Sequence, residues 1–308
     1  MKGADPAAGW AERVRALAAG QLAPAVPRPA ATVLLLRDAV PGGPPGPEVH
    51  LLRRRGSMAF AGGMYAYPGG GVDPRDERPV GWAGPPLERW AALLGLPEAR
   101  AQAVVCAAVR ETFEEAGVLL AGPGTGQGSG PGAGTAPGHG TVAGALPGRV
   151  AGDTSGAAWE ADRAALVAHE LGFADLLARR GLVLRSDLLA PWARWVTPEF
   201  EERRYDTWFF LAVLPPGQDA RDVSGEADRT VWLRPADALA GHARGELAML
   251  PPTRATLRAL LPYGSAAEAL AAAPGRDLAP VLARADLDGD GRVVLTWPGR
   301  DDLGREVR

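Results

Sequence analysis

Apolar positions along the chain follow two periods, and the switches between them mark the elements. Residues 31–36 are a near-continuous apolar run, with Val33, Leu34, Leu35 and Leu36 consecutive, which predicts a strand buried on both faces. A turn-forming stretch, 41–47, separates it from 48–55, a partner strand that emerges into the charged end Arg53, Arg54, Arg55. A glycine-rich passage follows at 61–71. From Pro97, residues 98–116 run without Gly or Pro until Gly117. Pro97 suits the first turn of a helix, where a missing N–H costs nothing, and Gly117 suits its left-handed stop. The result is a helix of about 20 residues and ~30 Å.

The remaining elements are a helix at 10–19 with a proline-spaced connector, a helix at 159–180, extended segments at 192–197, 205–214 and 230–233, and short helices at 235–239 and 253–261. Strands interleaved with helices predict an α/β domain on a mixed sheet. Residues 122–157 are dominated by Gly, Ala, Pro, Ser and Thr. They cannot bury enough apolar surface to offset their ordering entropy and read as a disordered insertion. Strands of one sheet lie on both sides of it, so it interrupts a domain and does not separate two. A second insertion, 77–102, carries its own apolar set of Trp82, Leu87, Trp90, Leu93, Leu94 and Leu96. It is expected to fold as a helical cap, with Trp90 facing substrate or packing on the domain. The expected organisation is an N-terminal helical extension (1–29), one catalytic domain (30–265) and a C-terminal extension with a short hairpin (266–308).

Composition narrows the function. Against 36 acidic residues stand 33 Lys and Arg, for a net charge of −3, so bulk electrostatics point neither to nucleic acid nor to an anionic membrane as partner. The nine tryptophans are scattered rather than interleaved with basic residues, and offer no stacking platform for nucleic acid. Cys106 is the single cysteine, which excludes a disulfide framework and a thiolate zinc site; its place on the apolar stripe of the long helix makes it a core residue. No run approaches the roughly 20 apolar residues of a membrane span, and residues 1–22 lack the apolar core of a signal peptide. A cytoplasmic protein is expected. Residues 286–291 match the first half of a calcium loop, but Trp297 stands where a bidentate Glu is needed, so a turn between two strands is expected there.

The chemistry lies in Arg110-Glu111-Thr112-Phe113-Glu114-Glu115-Ala116-Gly117. At about 100° per residue, Glu111, Glu114 and Glu115 share an arc of roughly 100°, opposite the buried stripe of Val105, Cys106, Val109 and Phe113. Glu111 and Glu115 are a like-charge i, i+4 pair, which destabilises a helix by a few tenths of a kcal/mol. A divalent cation with oxygen ligands, Mg²⁺ or Mn²⁺, would compensate. Upstream, Pro68-Gly69-Gly70-Gly71 allows the backbone to approach a ligand closely.

Gly70, Asp76, Arg110, Glu111, Phe113, Glu114, Glu115, Gly117 and Val118 together resemble the box of the Nudix hydrolases. Two departures stand out: Asp76 takes the place of a Glu, and residues 77–109 fill a gap where the family has seven. The branch of the peroxisomal coenzyme A diphosphatases and their bacterial relatives is similar in splitting the box there, and resembles this chain also around Trp195-Val196-Thr197-Pro198 and Leu250-Pro251-Pro252-Thr253. The chain ends Arg305-Glu306-Val307-Arg308, unlike a peroxisomal address. The resemblance implies an α/β/α sandwich and hydrolysis of a small-molecule diphosphate. It implies Mg²⁺ or Mn²⁺ held by Glu111, Glu114 and Glu115 with the Gly69 carbonyl, Arg110 orienting the glutamates, and Glu226, with Asp228 second, as general base or added ligand. Arg53, Arg55, Gly69, Gly70 and Trp90 are the expected substrate contacts. Arg203 and Arg204 suit a phosphate or a solvated pair balanced by Glu201 and Glu202. The substrate is left open, with coenzyme A leading by resemblance. The oligomeric state is open too, and a homodimer is compatible with the sequence. The rival reading is a non-catalytic module of the same fold that binds a nucleotide or a protein. Retention of all three glutamates favours the enzyme.

Overall fold

The computed structural model describes residues 9–39, 42–57, 61–124, 150–223, 225, 227–298 and 306–307. The apolar run forms β1 (Arg28–Asp38), followed by β2 (Pro47–Arg54), β3 (Tyr65–Ala66), β4 (Gly69–Gly71) and β5 (Trp82–Ala83). Next come α1 (Trp10–Ala18) at the N-terminus, α2 (Leu87–Leu94) and α3 (Glu98–Ala116), then β6 (Ala121–Pro123), α4 (Ala157–Val167), α5 (Phe173–Arg180) and β7 (Leu182–Arg185). The chain closes with β8 (Ala190–Val196), β9 (Tyr205–Val213), β10 (Ala227–Leu233), α6 (Pro235–Ala243), α7 (Pro251–Arg258), α8 (Ala266–Ala272), β11 (Val281–Leu282), β12 (Arg284–Leu287) and β13 (Val293–Thr296).

The main sheet has the order β10-β2-β1-β9-β8-β11 and is mixed: β1 lies parallel to β9 and antiparallel to β2. This is the expected α/β sandwich. Ala31, Val33 and Leu35 face a core shared with α3, whereas Leu34, Leu36, Val49 and Leu51 face a second core built with α1, α7, α8 and the β12–β13 hairpin. Two buried faces explain the unbroken apolar run. β1 and β2 pair only at Leu36–Val49 and beyond; where they part, β3 joins β2 and β4 joins β1. The glycine passage is thereby drawn into the sheet beside α3. Among the described residues no single helix is long and apolar enough to cross a membrane.

The structure corrects several expectations. The helix at 159–180 is two helices, broken at the corner 168–172, where His169 has a φ of 60°. Residues 125–149 of the glycine-rich insertion lie outside the described residues. The insertion's two ends, however, are ordered on the core. β6 pairs with β7, the Gln218 side chain donates to the Leu119 and Ala151 carbonyls at 3.0 and 2.8 Å, and the Thr154 hydroxyl donates to the Gly117 carbonyl at 2.7 Å. Polar side chains supply the anchors that the apolar count of that stretch lacks. Trp90, expected against substrate or core, is 1% exposed and packs 6.1 Å from Phe210 in the α3-side core. Nothing bound at the surface could reach it, so it is a packing residue. The turn at 288–292 is closed by the Asp288 carboxylate, which accepts from the N–H groups of Asp290 and Arg292, between β12 and β13 as expected.

Candidate functional site

α3 is the central helix, and its acidic end is covered rather than open to solvent. Ala101 to Arg110, Thr112, Phe113, Glu115 and Ala116 are all buried, because β4 and the 3₁₀ turn Pro74–Glu77 cover the polar side. Close cover requires glycine. A Cβ on Gly70 would lie 2.5 Å from Glu111 Oε1, and one on Gly69 would lie 2.5 Å from the Thr32 side chain. The Gly69 N–H donates to Glu115 Oε2 at 2.8 Å.

Arg110 is the hub. Its Nε and Nη2 donate to the two oxygens of Asp76, each at 2.9 Å, and Nη2 also donates to the Gly71 carbonyl at 3.0 Å. Nη1 donates to Glu111 at 2.8 Å and to Glu114 at 3.3 Å. Asp76 is 2% exposed, and the turn that carries it is a capping box: the Asp73 N–H donates to Asp76 Oδ2 at 2.9 Å. The Asp in place of Glu is thus the second partner of a buried, two-pronged ion pair with Arg110.

Burial pushes the Glu111 carboxyl up to about 7; Arg110 opposes this and Glu114 adds to it. Glu114 is raised as well, by burial first. Burial works against the charge of Arg110, but its bond to Asp76 and the surrounding carboxylates more than offset that and raise it. Buried carboxylates thus outnumber the one guanidinium that serves them.

That donor set suits a hard divalent cation: all oxygen, net negative, and roofed by glycine backbone. As arranged, Glu111 and Glu114 turn to Arg110 and Glu115 turns to the Gly69 N–H. Among the described residues no three of His, Cys, Asp and Glu are grouped to hold a metal ion. The fit is one of chemistry and charge.

The pH dependence of stability follows from Glu111. Its folded pKa lies above the ordinary 4.5, so the bound proton stabilises the fold fully below about pH 4.5, and that contribution is lost as the pH rises through about 7. At ~1.4 kcal/mol per unit the total is on the order of a few kcal/mol. Buried His50, held down to about 4, adds stability as the pH rises to about 6.5 and so opposes this trend. The Glu111 contribution is therefore read as a difference: between pH 5 and 7.5 the melting temperature of metal-free wild type should fall relative to that of Glu111→Gln. A difference that stays constant, or moves in favour of wild type, would refute the burial of the charge.

Other expected site residues lie elsewhere. Arg53 pairs with Tyr65 across the strands, on the face of Leu51 that points away from α3, and forks onto Asp228 at 2.6 and 3.0 Å. Asp228, the second candidate base, is thereby engaged. Arg55 donates to the Ala227 carbonyl at 3.2 Å. Strand alternation puts neighbours on opposite faces, so Arg53 is not beside the glutamates. Glu226 lies outside the described residues. Arg204 is 7% exposed and donates to the carbonyls of Thr197 and Ala25; it fastens the N-terminal connector. Sequence reasoning missed Arg75 and His169, whose link to this cluster is a contact across 94 positions of chain.

A family model described as the NUDT19 Nudix domain matches residues 87–260, which takes in Arg110, Glu111, Glu114 and Glu115. The acyl-coenzyme A diphosphatase NUDT19 of Gallus gallus is 29% identical over 262 residues, 73% of this chain and 65% of the relative. This chain therefore spans just under two thirds of the relative's length. The crystal structure of a NUDIX hydrolase from Alicyclobacillus acidocaldarius superposes with a TM-score of 0.57 at 28% identity, covering 80% of this chain and 96% of that one.

Proposed function

The chain belongs to the Nudix hydrolase family, and on that premise we propose that it is a metal-dependent hydrolase of the diphosphate linkage in a nucleoside diphosphate-linked compound, with coenzyme A or an acyl-coenzyme A the leading substrate. The observation that carries this reading is the cluster of Asp76, Glu111 and Glu114 gathered at one arginine, with Glu115 beside them on the Gly69 N–H, under glycine backbone. The named relative, an acyl-coenzyme A diphosphatase, supports the choice of substrate.

In this reading Glu111, Glu114 and Glu115 would hold Mg²⁺ or Mn²⁺, and the ion would supply charge neutralisation of the diphosphate and hydroxide near neutral pH. The protein's own residues do the rest. Arg110 directs its donors at Asp76, Gly71, Glu111 and Glu114, so it orients carboxylates and does not bind substrate. The Gly69–Gly71 strand keeps the acidic side chains under backbone and excludes bulk water from one side. Glu226 is the proposed base by its place ahead of β10, and a cytoplasmic location is proposed with it.

The test is a panel of coenzyme A, acyl-coenzyme A, ADP-ribose, NADH and nucleoside diphosphate sugars, with and without Mg²⁺ or Mn²⁺, with products identified by mass spectrometry. Hydrolysis should yield two phosphomonoesters only when metal is present, fastest from the coenzyme A group. Binding of panel members without any turnover would instead favour the non-catalytic module.

A further inference from the structure

The bonds that hold the acidic cluster do not end at Asp76. At the corner between α4 and α5, His169 adopts a φ of 60° as the left-handed residue that closes α4, with its own N–H on the Leu166 carbonyl and that of Glu170 on the Ala165 carbonyl. Arg75 reaches this corner from the other side of the cluster. Its Nη1 donates to the His169 carbonyl at 2.9 Å, and its Nη2 meets the His169 ring at Nδ1. The same guanidinium grips both oxygens of Asp73, with Nε at 2.9 Å and Nη2 at 2.8 Å. The Asp73 backbone N–H in turn donates to Asp76 Oδ2, and Asp76 holds Arg110, which holds Glu111 and Glu114. Leu166, Leu171 and Phe173, from α4, the corner and α5, line one crevice with Asp73, Arg75, Asp76 and Arg110. An unbroken run of hydrogen bonds and packing therefore connects the corner to the glutamates.

We infer that Arg75 is a positioning residue for the reaction. It ties the α4–α5 corner to the turn that carries Asp76, and so fixes Arg110 and, through it, the orientation of Glu111 and Glu114. Groups one step removed from a reacting centre act by setting the geometry of those that touch it, and a displacement of about 1 Å can cost up to ~10²-fold in rate. Asp76 Oδ2 serves Arg110 and the Asp73 N–H at once. A turn released from Arg75 leaves Arg110 anchored to a moving carboxylate. The kinetic part of this inference rests on the proposed diphosphatase reading; the structural part does not.

Arg75 is about one third exposed in its side chain, so replacing it strands no buried charge and the fold should survive. Arg75→Ala and Arg75→Lys are compared with wild type in the full chain. The expected result is a roughly tenfold fall in kcat for both, with KM within twofold, because a lysine cannot reproduce a fork onto Asp73 and a further bond to His169. The independent readout is the Arg110 Nε–H signal in ¹⁵N NMR, identified by its loss in Arg110→Lys. It should exchange slowly in wild type and fast in both Arg75 variants. Unchanged kcat with only a lower melting temperature would make Arg75 a structural staple and overturn the inference. So would restoration of kcat by lysine, or a fall in kcat with the Arg110 signal still protected. If wild type turns over no diphosphate, it is the diphosphatase reading that fails, and the Arg110 signal alone then decides the positioning role.

Discussion

Arg110→Ala should lower the melting temperature by roughly 10 °C in chelator at pH 7.5, and added Mn²⁺ should restore part of the loss. Arg110 is 6% exposed and Asp76 2%, and the side chains of Glu111 and Glu114 are 12% exposed. Removing the guanidinium leaves three carboxylates in low dielectric with no counter-charge. Deleting one partner of a buried ion pair costs ~3–5 kcal/mol, and a domain of this size loses about 2–4 °C per kcal/mol. Two further outcomes follow from the same cause. The deficit should shrink at pH 5, where Glu111 is protonated, and Mn²⁺ should raise the midpoint of the variant more than that of wild type, since the ion then supplies the missing positive charge. A midpoint within about 2 °C of wild type at pH 7.5 would show that the carboxylates do not depend on Arg110.

The second large effect is kinetic. Glu115→Gln should lower kcat by roughly 10²–10⁴-fold, the range for loss of a group that acts directly in proton transfer or charge stabilisation. The fold should not suffer. Glu115 is 6% exposed and accepts the Gly69 N–H, and the amide oxygen of Gln can accept the same bond. The variant also loses one charge of the Glu111–Glu115 i, i+4 pair, so its melting temperature should stay level or rise slightly. Near-normal turnover at saturating Mg²⁺ would remove Glu115 from the site.

Much of the site's scaffold is legible in the residues. Pro97 and Gly117 bracket α3 because one lacks an N–H and the other lacks a Cβ, and the observed C-cap is Gly117 at a φ of 70°. These are local properties, decided within one or two turns of backbone. The apolar run of β1 likewise announces a strand covered on both sides. The grouping of three glutamates on one arc of α3 follows from helical period alone.

Register, cover and long-range pairing are of another kind. Arg53 and Trp90 each have the chemistry of a substrate contact, yet one points away from α3 and the other is buried against Phe210. A side chain's exposure depends on which element lies over it, and no local pattern records that. The break at His169 carries neither proline nor glycine at its left-handed position, yet a local cap closes α4 there, with the Glu170 N–H on the Ala165 carbonyl; its contact with Arg75, 94 positions earlier, is recorded in no local pattern. The sequence by itself determined the helix, the strand and the three carboxylates, since short-range sterics and periodicity act along the chain. Only the tertiary structure decided that those carboxylates are covered by glycine backbone, with Glu111 and Glu114 at one buried arginine and Glu115 at the Gly69 N–H, because burial and charge pairing are set by neighbours in space, and it is burial that raises the Glu111 carboxyl.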